Sequence, residues 1–194
     1  MLTGDEIRRL HNDGEIIITD FDEKRLNPNS YNLRLGNKLK IYKMKYYRDH
    51  KINYDLNLDL YDAIPYIDPS KENPTITIDI PETGIVLEPG VFYLGTTMER
   101  TWAKNLIPQI DGRSSFARYS LEVHRTAGFG DIGFDGTWTL EIQVLIPVLV
   151  KPGMEICQIS FERPDGETSI QYKGKYQYQS GIVESRSYMD NYKK

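Results

Sequence analysis

One cysteine, three histidines and no apolar run of bilayer length set the first limits on this 194-residue chain. A lone thiol, Cys157, forms no intramolecular disulfide, and cysteine scarcity agrees with a reducing compartment. We expect Cys157 to be buried filler. Apolar stretches fall far short of the roughly 20 residues that cross a bilayer. The opening Met1-Leu2-Thr3-Gly4-Asp5-Glu6 has neither a basic nor an apolar leader. A cytoplasmic protein with no membrane partner is the expectation. His11, His50, His124 and Cys157 make neither a His/Cys/Cys nor a three-cysteine zinc set, which excludes zinc-activated hydroxide of that kind within one chain. Also missing are Gly-x-x-x-x-Gly-Lys-Ser/Thr, Gly-x-Gly-x-x-Gly after a strand, and Gly-x-Ser-x-Gly, so the common kinase, dehydrogenase and esterase readings fall. Basic excess is lacking too. Lys and Arg number 24 against 28 Asp and Glu, a net charge of −4, which argues against tracking a nucleic-acid polymer. A pocket can still gather a few arginines, so a small phosphate ligand stays open.

What is present reads as one folded domain over residues 1–194. The 39% hydrophobic and 27% charged content is that of soluble globular chains. Residues 3–12 predict a short amphipathic helix, with Thr3 as N-cap, Glu6 completing a capping box, and Ile7 and Leu10 on one face before Gly14. After it come short β-branched or alternating runs at 15–19, 31–35, 38–42, 75–80, 84–87 and 91–96. Others follow at 105–110, 121–124, 138–145, 147–151 and 154–161, with Pro and Gly between many of them. The class is mainly β, a barrel or sandwich with a short N-terminal helix. The Tyr-rich residues 43–62 predict an insertion or long hairpin. The tail 165–194 holds Tyr172, Tyr176, Tyr178 and Tyr188 but few aliphatics; it can be a frayed terminus or a lid, and composition alone favours fraying.

Three features can carry chemistry. Asp111-Gly112-Arg113-Ser114-Ser115-Phe116-Ala117-Arg118 follows an apolar strand and offers two forked guanidinium groups, two hydroxyls and freed backbone amides, the donors a polyphosphate uses. A helical turn there would put Ser114 and Arg118 on one face; an exposed turn with solvated arginines is the equal alternative. Thr126-Ala127-Gly128-Phe129-Gly130-Asp131-Ile132-Gly133-Phe134-Asp135-Gly136 supplies four glycines for close backbone approach and two flat rings for a base or sugar. Asp131 is either its working carboxylate or a turn residue bonding its own backbone. Glu141 sits between Leu140 and Ile142, so alternation sends it to the opposite face, into solvent or into a polar cavity. In a cavity, partial desolvation would suit it to proton shuttling.

Taken in order, these blocks resemble dCTP deaminases of the trimeric dUTPase-like superfamily, as do His124-Arg125-Thr126-Ala127-Gly128-Phe129, Thr139-Leu140-Glu141 and Pro152-Gly153-Met154-Glu155-Ile156-Cys157-Gln158. Upstream, Asn27-Pro28-Asn29-Ser30-Tyr31-Asn32-Leu33-Arg34-Leu35 and Leu87-Glu88-Pro89-Gly90-Val91-Phe92-Tyr93-Leu94-Gly95 share the likeness. Downstream, Lys175-Tyr176-Gln177-Tyr178-Gln179-Ser180-Gly181 and Ser185-Arg186-Ser187-Tyr188 extend it over nearly the whole chain. The resemblance implies a distorted β barrel or jelly roll of the dUTPase-like type, assembled as a homotrimer with sites between subunits. It implies zinc-independent hydrolysis of dCTP to dUTP and ammonia. On that pattern Glu141 looks like the general base and proton shuttle, Ser114 the hydroxyl that orients water, and Arg118 an electrostatic aid. Arg113 and Ser115 would bind phosphate, the Thr126-Ala127 backbone would read the base edge, and Phe134 would pack on the deoxyribose. Asp131, Gln158, Tyr172, Lys175 and Gln179 would complete the substrate contacts, the last three from a closing lid. Magnesium would arrive on the triphosphate, and dTTP would be a feedback inhibitor. The chain departs from the family in having Gly130-Asp131-Ile132-Gly133 where Ile-Asp-Pro-Gly is usual, a shorter hairpin through 143–147, and a shortened tail before Lys175. Two alternatives stand beside the main reading. One is a bifunctional enzyme in which Asp131 activates water to carry dUTP on to dUMP and pyrophosphate. The other is a non-catalytic nucleotide-binding regulator on the same fold.

Overall fold

The computed structural model describes residues 1–49 and 58–190. Helix α1 spans Gly4–Asn12, where the Thr3 hydroxyl accepts from the Glu6 N–H at 3.3 Å and Ile7 and Leu10 are buried. The reciprocal half of the capping box is absent, because the Glu6 carboxylate is taken by Arg9 at 2.9 Å and Arg163 at 2.6 Å. Two backbone bonds tie the helix start to the body, from Leu2 N–H to Phe161 O and from Gly4 N–H to Pro28 O. A Cβ on Gly4 would lie 2.2 Å from the Asn27 carbonyl oxygen, so this approach requires glycine.

The chain then forms β1 (Ile16–Ile18), β2 (Tyr31–Leu33), β3 (Lys38–Tyr42), the short helix α2 (Lys45–Asp49), β4 (Thr75–Asp79), β5 (Ile85–Leu87), β6 (Tyr93–Ala103) and β7 (Ile107–Gly112). The turn α3 (Ser114–Ala117), β8 (Asp135–Ile142), β9 (Val148–Val150) and β10 (Cys157–Glu162) complete it. Long β6 is the spine of the largest sheet, pairing with β1, β3 and β8, while β4 joins on β3. A second sheet runs β2-β10-β7, and β5 pairs with β9. All these pairings are antiparallel. The fold is mainly β, as expected, but the pairings among the described residues give three sheets and no closed barrel.

Strand alternation fixes the core: Leu39 and Ile41 of β3, Leu140 and Ile142 of β8, and Cys157, Ile159 and Phe161 of β10 are all fully buried. Burial pushes the Cys157 thiol well above its ordinary range, so it stays protonated packing. The bulge in the β6–β8 ladder between Thr96 and Arg100 surrounds Glu99, which is fully buried. Its carboxylate is met by Arg34 Nε at 2.5 Å, the Arg34 N–H at 2.9 Å and Arg25 at 3.4 Å, the partners a buried charge requires.

Two regions differ from expectation. Residues 121–124 form no strand: Leu121 and Val123 point inward as alternation predicts, but the pairing is a single bridge, Glu122 to Gln143. Within 43–62, α2 and a parallel bridge from Met44 to Ile64 are found, while 50–57 lie outside the described residues. No helix among the described residues is long and apolar enough to cross a membrane.

The tail is docked where composition favours fraying. It runs beside β8, with Tyr178 N–H bonded to Asp135 O, Thr137 N–H to Gln179 O, and Val183 N–H to the Thr139 hydroxyl. Farther on, Lys40 Nζ meets Glu184 at 2.7 Å. Burial alone would raise the Glu184 carboxyl, but the Lys40 hydrogen bond, a backbone hydrogen bond and the Lys40 and Arg186 charges together hold the group below its ordinary 4.5. A folded pKa below the unfolded one gives stability that is present above about pH 4.5 and is lost as pH falls through the folded value. The protection of residues 176–187 against hydrogen exchange, taken relative to the intrinsic rate at each pH, is therefore expected to weaken as pH falls below about 4.5, and Lys40→Met to loosen the same amides at neutral pH. Unchanged protection in that variant would remove this ion pair from the docking.

Candidate active site

A cleft of about 380 Å³ opens where β8, the 129–134 loop and the tail converge. From β8 come Glu141 and Thr139, on the face opposite buried Leu140 and Ile142. The loop is strung along β7 by two bonds of 2.7 Å, Ile110 N–H to Gly128 O and Gly130 N–H to Pro108 O, and it contributes Phe129, Asp131 and Phe134. Tyr172, Tyr176 and Gln179 close the tail side. Glu141 and Asp131 thus border one cavity. The Glu141 carboxylate is oriented by the Arg125 N–H, 2.9 Å from Oε2, and the Arg125 guanidinium is held by Glu122 at 2.5 Å and Gln143 at 2.8 Å.

The apolar end is aromatic. Phe134 lies 4.6 Å from Trp138 and 5.9 Å from Tyr172 between ring centroids, and Trp138 Nε1–H donates to the Thr101 hydroxyl at 2.8 Å. Trp138 has the wrong parity to share Glu141's face, so alternation alone assigns it elsewhere. It reaches the cleft edge because Gly130 leaves room: a Cβ there would sit 2.3 Å from Cη2 of the indole. Gly130→Ala is expected to displace the indole and cost about 1–3 kcal/mol of stability, the usual penalty of overpacking. Thermal unfolding and the Trp fluorescence maximum check it; an unmoved midpoint and spectrum would show that the contact is slack. Tyr42 and Phe92 also line the cleft; Phe92 lies within the 87–95 block, while no motif marks Tyr42. Tyr42 is distant in sequence and meets the tail through Ser185 N–H at 3.2 Å, while burial raises its phenol pKa.

The Arg/Ser cluster lies elsewhere. α3 does bring Ser114 and Arg118 to one face, with Arg118 N–H and Nη1 both donating to Ser114 O. Arg113 is engaged by Glu155, through the carbonyl at 2.8 Å and the carboxylate at 3.3 Å. Gln158 accepts from the Ser30 hydroxyl at 2.6 Å and donates to Gly112 O at 2.9 Å. None of Arg113, Ser114, Ser115, Arg118 and Gln158 lines the cleft, nor do exposed Thr126 and Ala127. Lys175 contacts Asp190 and lies 5.7 Å above the Tyr176 ring. Gln179 spends its amide on Thr137 O at 2.6 Å while still bordering the cavity. No group of three or more His, Cys, Asp or Glu side chains among the described residues is placed to hold a metal ion.

The model of a family described as dCTP deaminase-like matches residues 1–164, and the chain belongs to that family. A protein of Leptospira biflexa serovar Patoc is 47% identical over 195 residues, spanning 100% of this chain and 99% of its own, and is named "dCTP deaminase, dUMP-forming". A Hathewaya histolytica protein of the same name is 43% identical over 191 residues, covering 98% of each chain. The fold is shared with the crystal structure of 2'-deoxycytidine 5'-triphosphate deaminase from Agrobacterium tumefaciens, at a TM-score of 0.56 and 22% identity, over 82% of this chain and 47% of that one.

Proposed function

We propose that the chain converts dCTP to dUMP in two hydrolytic steps, deamination at C4 followed by cleavage of dUTP between its α- and β-phosphates. The observation that carries this reading is that Glu141 and Asp131 line one cleft. The dUMP-forming names of the relatives support it over the alternative that stops at dUTP.

In the first step water adds to C4, and Glu141 takes its proton and passes it to N3 of the ring. As the tetrahedral carbon collapses, the new hydroxyl proton travels through Glu141 to the amino group, the C4–N4 bond breaks, and ammonia leaves a C4 carbonyl. The Arg125 N–H on Oε2 fixes the carboxylate for this exchange and leaves Oε1 for water. In the second step Asp131 accepts a proton from water attacking the α-phosphorus, and the bond to the bridging oxygen of pyrophosphate breaks. When carried on the triphosphate, magnesium would offset part of its negative charge, with no group of three or more His, Cys, Asp or Glu among the described residues placed to hold the ion. Phe134 packs on the deoxyribose, and Tyr172 and Gln179 make further contacts from the cleft wall, while the Thr126-Ala127 backbone, Gln158 and Lys175 lie off the cleft of their own chain and would reach substrate only in the assembled site.

Arg113, Ser114, Ser115 and Arg118 lie off the cleft of their own chain. The proposal therefore includes a homotrimer in which a neighbouring copy supplies that turn, with Arg113 and Ser115 on phosphate and Ser114 and Arg118 at the reacting centre. Incubation with dCTP and magnesium is expected to yield ammonia, dUMP and pyrophosphate. Accumulating dUTP would limit the activity to deamination, and persistent dCTP would sink the enzymatic reading.

A further inference from the structure

The 27–35 segment shares the family's pattern yet places no residue in the cleft. Its polar side chains instead form a fork. One branch runs from Asn27 Nδ2 to the Ser30 hydroxyl at 3.1 Å, from there to Gln158 Oε1 at 2.6 Å, and from Gln158 Nε2 to Gly112 O at 2.9 Å. The other runs from Asn27 Nδ2 to Asn32 Oδ1 at 2.7 Å, from Asn32 Nδ2 to Glu155 Oε2 at 2.8 Å, and ends on Arg113 Nη1 at 3.3 Å. The branches end on consecutive residues, one on a backbone carbonyl and the other on a guanidinium, at the junction of β7 and α3.

Strand register explains how the fork assembles. In the β2-β10-β7 sheet Gln158 stands opposite Asn32 on one side and Asp111 on the other. Asn32 lies between buried Tyr31 and Leu33 and is itself only 4% exposed, as is Ser30. Side chains buried this far gain nothing from water, so each must be satisfied inside the protein, and a chain of donors and acceptors does so with a fixed direction. Were burial the sole requirement, an apolar residue at 32 would meet it. Asn32 instead holds the carboxylate that holds Arg113. Glue of this sort matters most for arginine, whose long side chain otherwise samples many rotamers. Glu155 engages a single terminal nitrogen, Nη1, through both its carboxylate and its carbonyl. The Nη1 end of the guanidinium is thereby held, while the Arg113 side chain remains 30% exposed.

We propose that Glu155, held by Asn32, is a positioning residue that presets the Arg113 guanidinium for the triphosphate in the site completed by a neighbouring copy. This rests on the reading above that Arg113 binds phosphate. The link from Asn32 of β2 through Glu155, just ahead of β10, to Arg113 ties the phosphate contact to the sheet, with its geometry set before nucleotide arrives.

A double-mutant cycle on the full-length chain tests this. Glu155→Ala is expected to raise KM for dCTP about tenfold with kcat within about twofold, because lost preorganisation weakens ground-state and transition-state binding alike. Glu155→Gln keeps the shape and an oxygen for Asn32, so it is expected to fold whatever Glu155→Ala does, with a smaller rise in KM of about threefold. In an Arg113→Ala background both substitutions are expected to add nothing. If the Glu155 and Arg113 effects multiply, or if Glu155→Gln leaves KM unchanged while Arg113→Ala raises it, the positioning role is overturned and the phosphate role of Arg113 stands. If Arg113→Ala alone leaves KM unchanged, the phosphate reading itself fails.

Discussion

Glu141→Gln is expected to abolish ammonia release from dCTP while leaving hydrolysis of added dUTP running. The substitution keeps the shape of the side chain and an oxygen that accepts the Arg125 N–H, seen at 2.9 Å, so the strand and the cleft should survive. What disappears is a group able to take a proton from water and return it to the departing amine, and proton transfer of this kind contributes about 10²–10⁴ in rate. The proposed mechanism puts two such transfers on the same carboxylate, which places the expected loss at the upper end. Calorimetry with dCTP should give near wild-type affinity, separating lost chemistry from lost binding. Ammonia release at the wild-type rate would remove Glu141 from the mechanism, whatever happened to dUTP.

The complementary substitution, Asp131→Asn, should stop the sequence halfway. Ammonia release should continue and dUTP should accumulate, because the second water loses its base, at a cost of about 10²–10⁴ in the rate of dUMP formation. The Asp131 carbonyl accepts the Phe134 N–H at 3.2 Å within a turn that has Gly133 at a φ of +85°. That bond comes from the backbone, so it survives the change, and the Phe134 ring keeps its place. Chromatography of the nucleotides reads the result directly. Continued dUMP formation at the original rate would return Asp131 to the role of a turn residue. Together the two variants divide the pathway at dUTP, one blocking entry and the other exit.

Much of this was legible in the chain because short-range rules govern it. The Thr3 cap, the Ile7 and Leu10 face, the bounds of β3 and the outward turn of Glu141 all follow from local periodicity. Residues 121–124 show where such rules stop: the run reads as a strand, and Leu121 and Val123 are buried, but a strand needs a continuous ladder, and here there is one bridge, Glu122 to Gln143, with a lone bond from the Glu141 N–H to Val123 O beside it. The tail misled for a different reason. It is held by backbone bonds and by Gln177, Gln179 and Thr139, none of which raises hydropathy. The cluster of Arg113, Ser114 and Arg118 was visible as chemistry but not as location, since spacing along one chain does not say which surface a turn will serve.

The docked tail has one more consequence, for what β8 presents to other molecules. Its inner edge pairs with β6, while its outer edge is met first by Gln179 at Thr137 and then by Val123 O at the Glu141 N–H. A bare strand edge of Trp138-Thr139-Leu140-Glu141-Ile142 would be a template for adding foreign strands. The same segment that shapes the cleft therefore also acts as a guard against aggregation, and loosening it exposes the protein to self-association as well as to solvent.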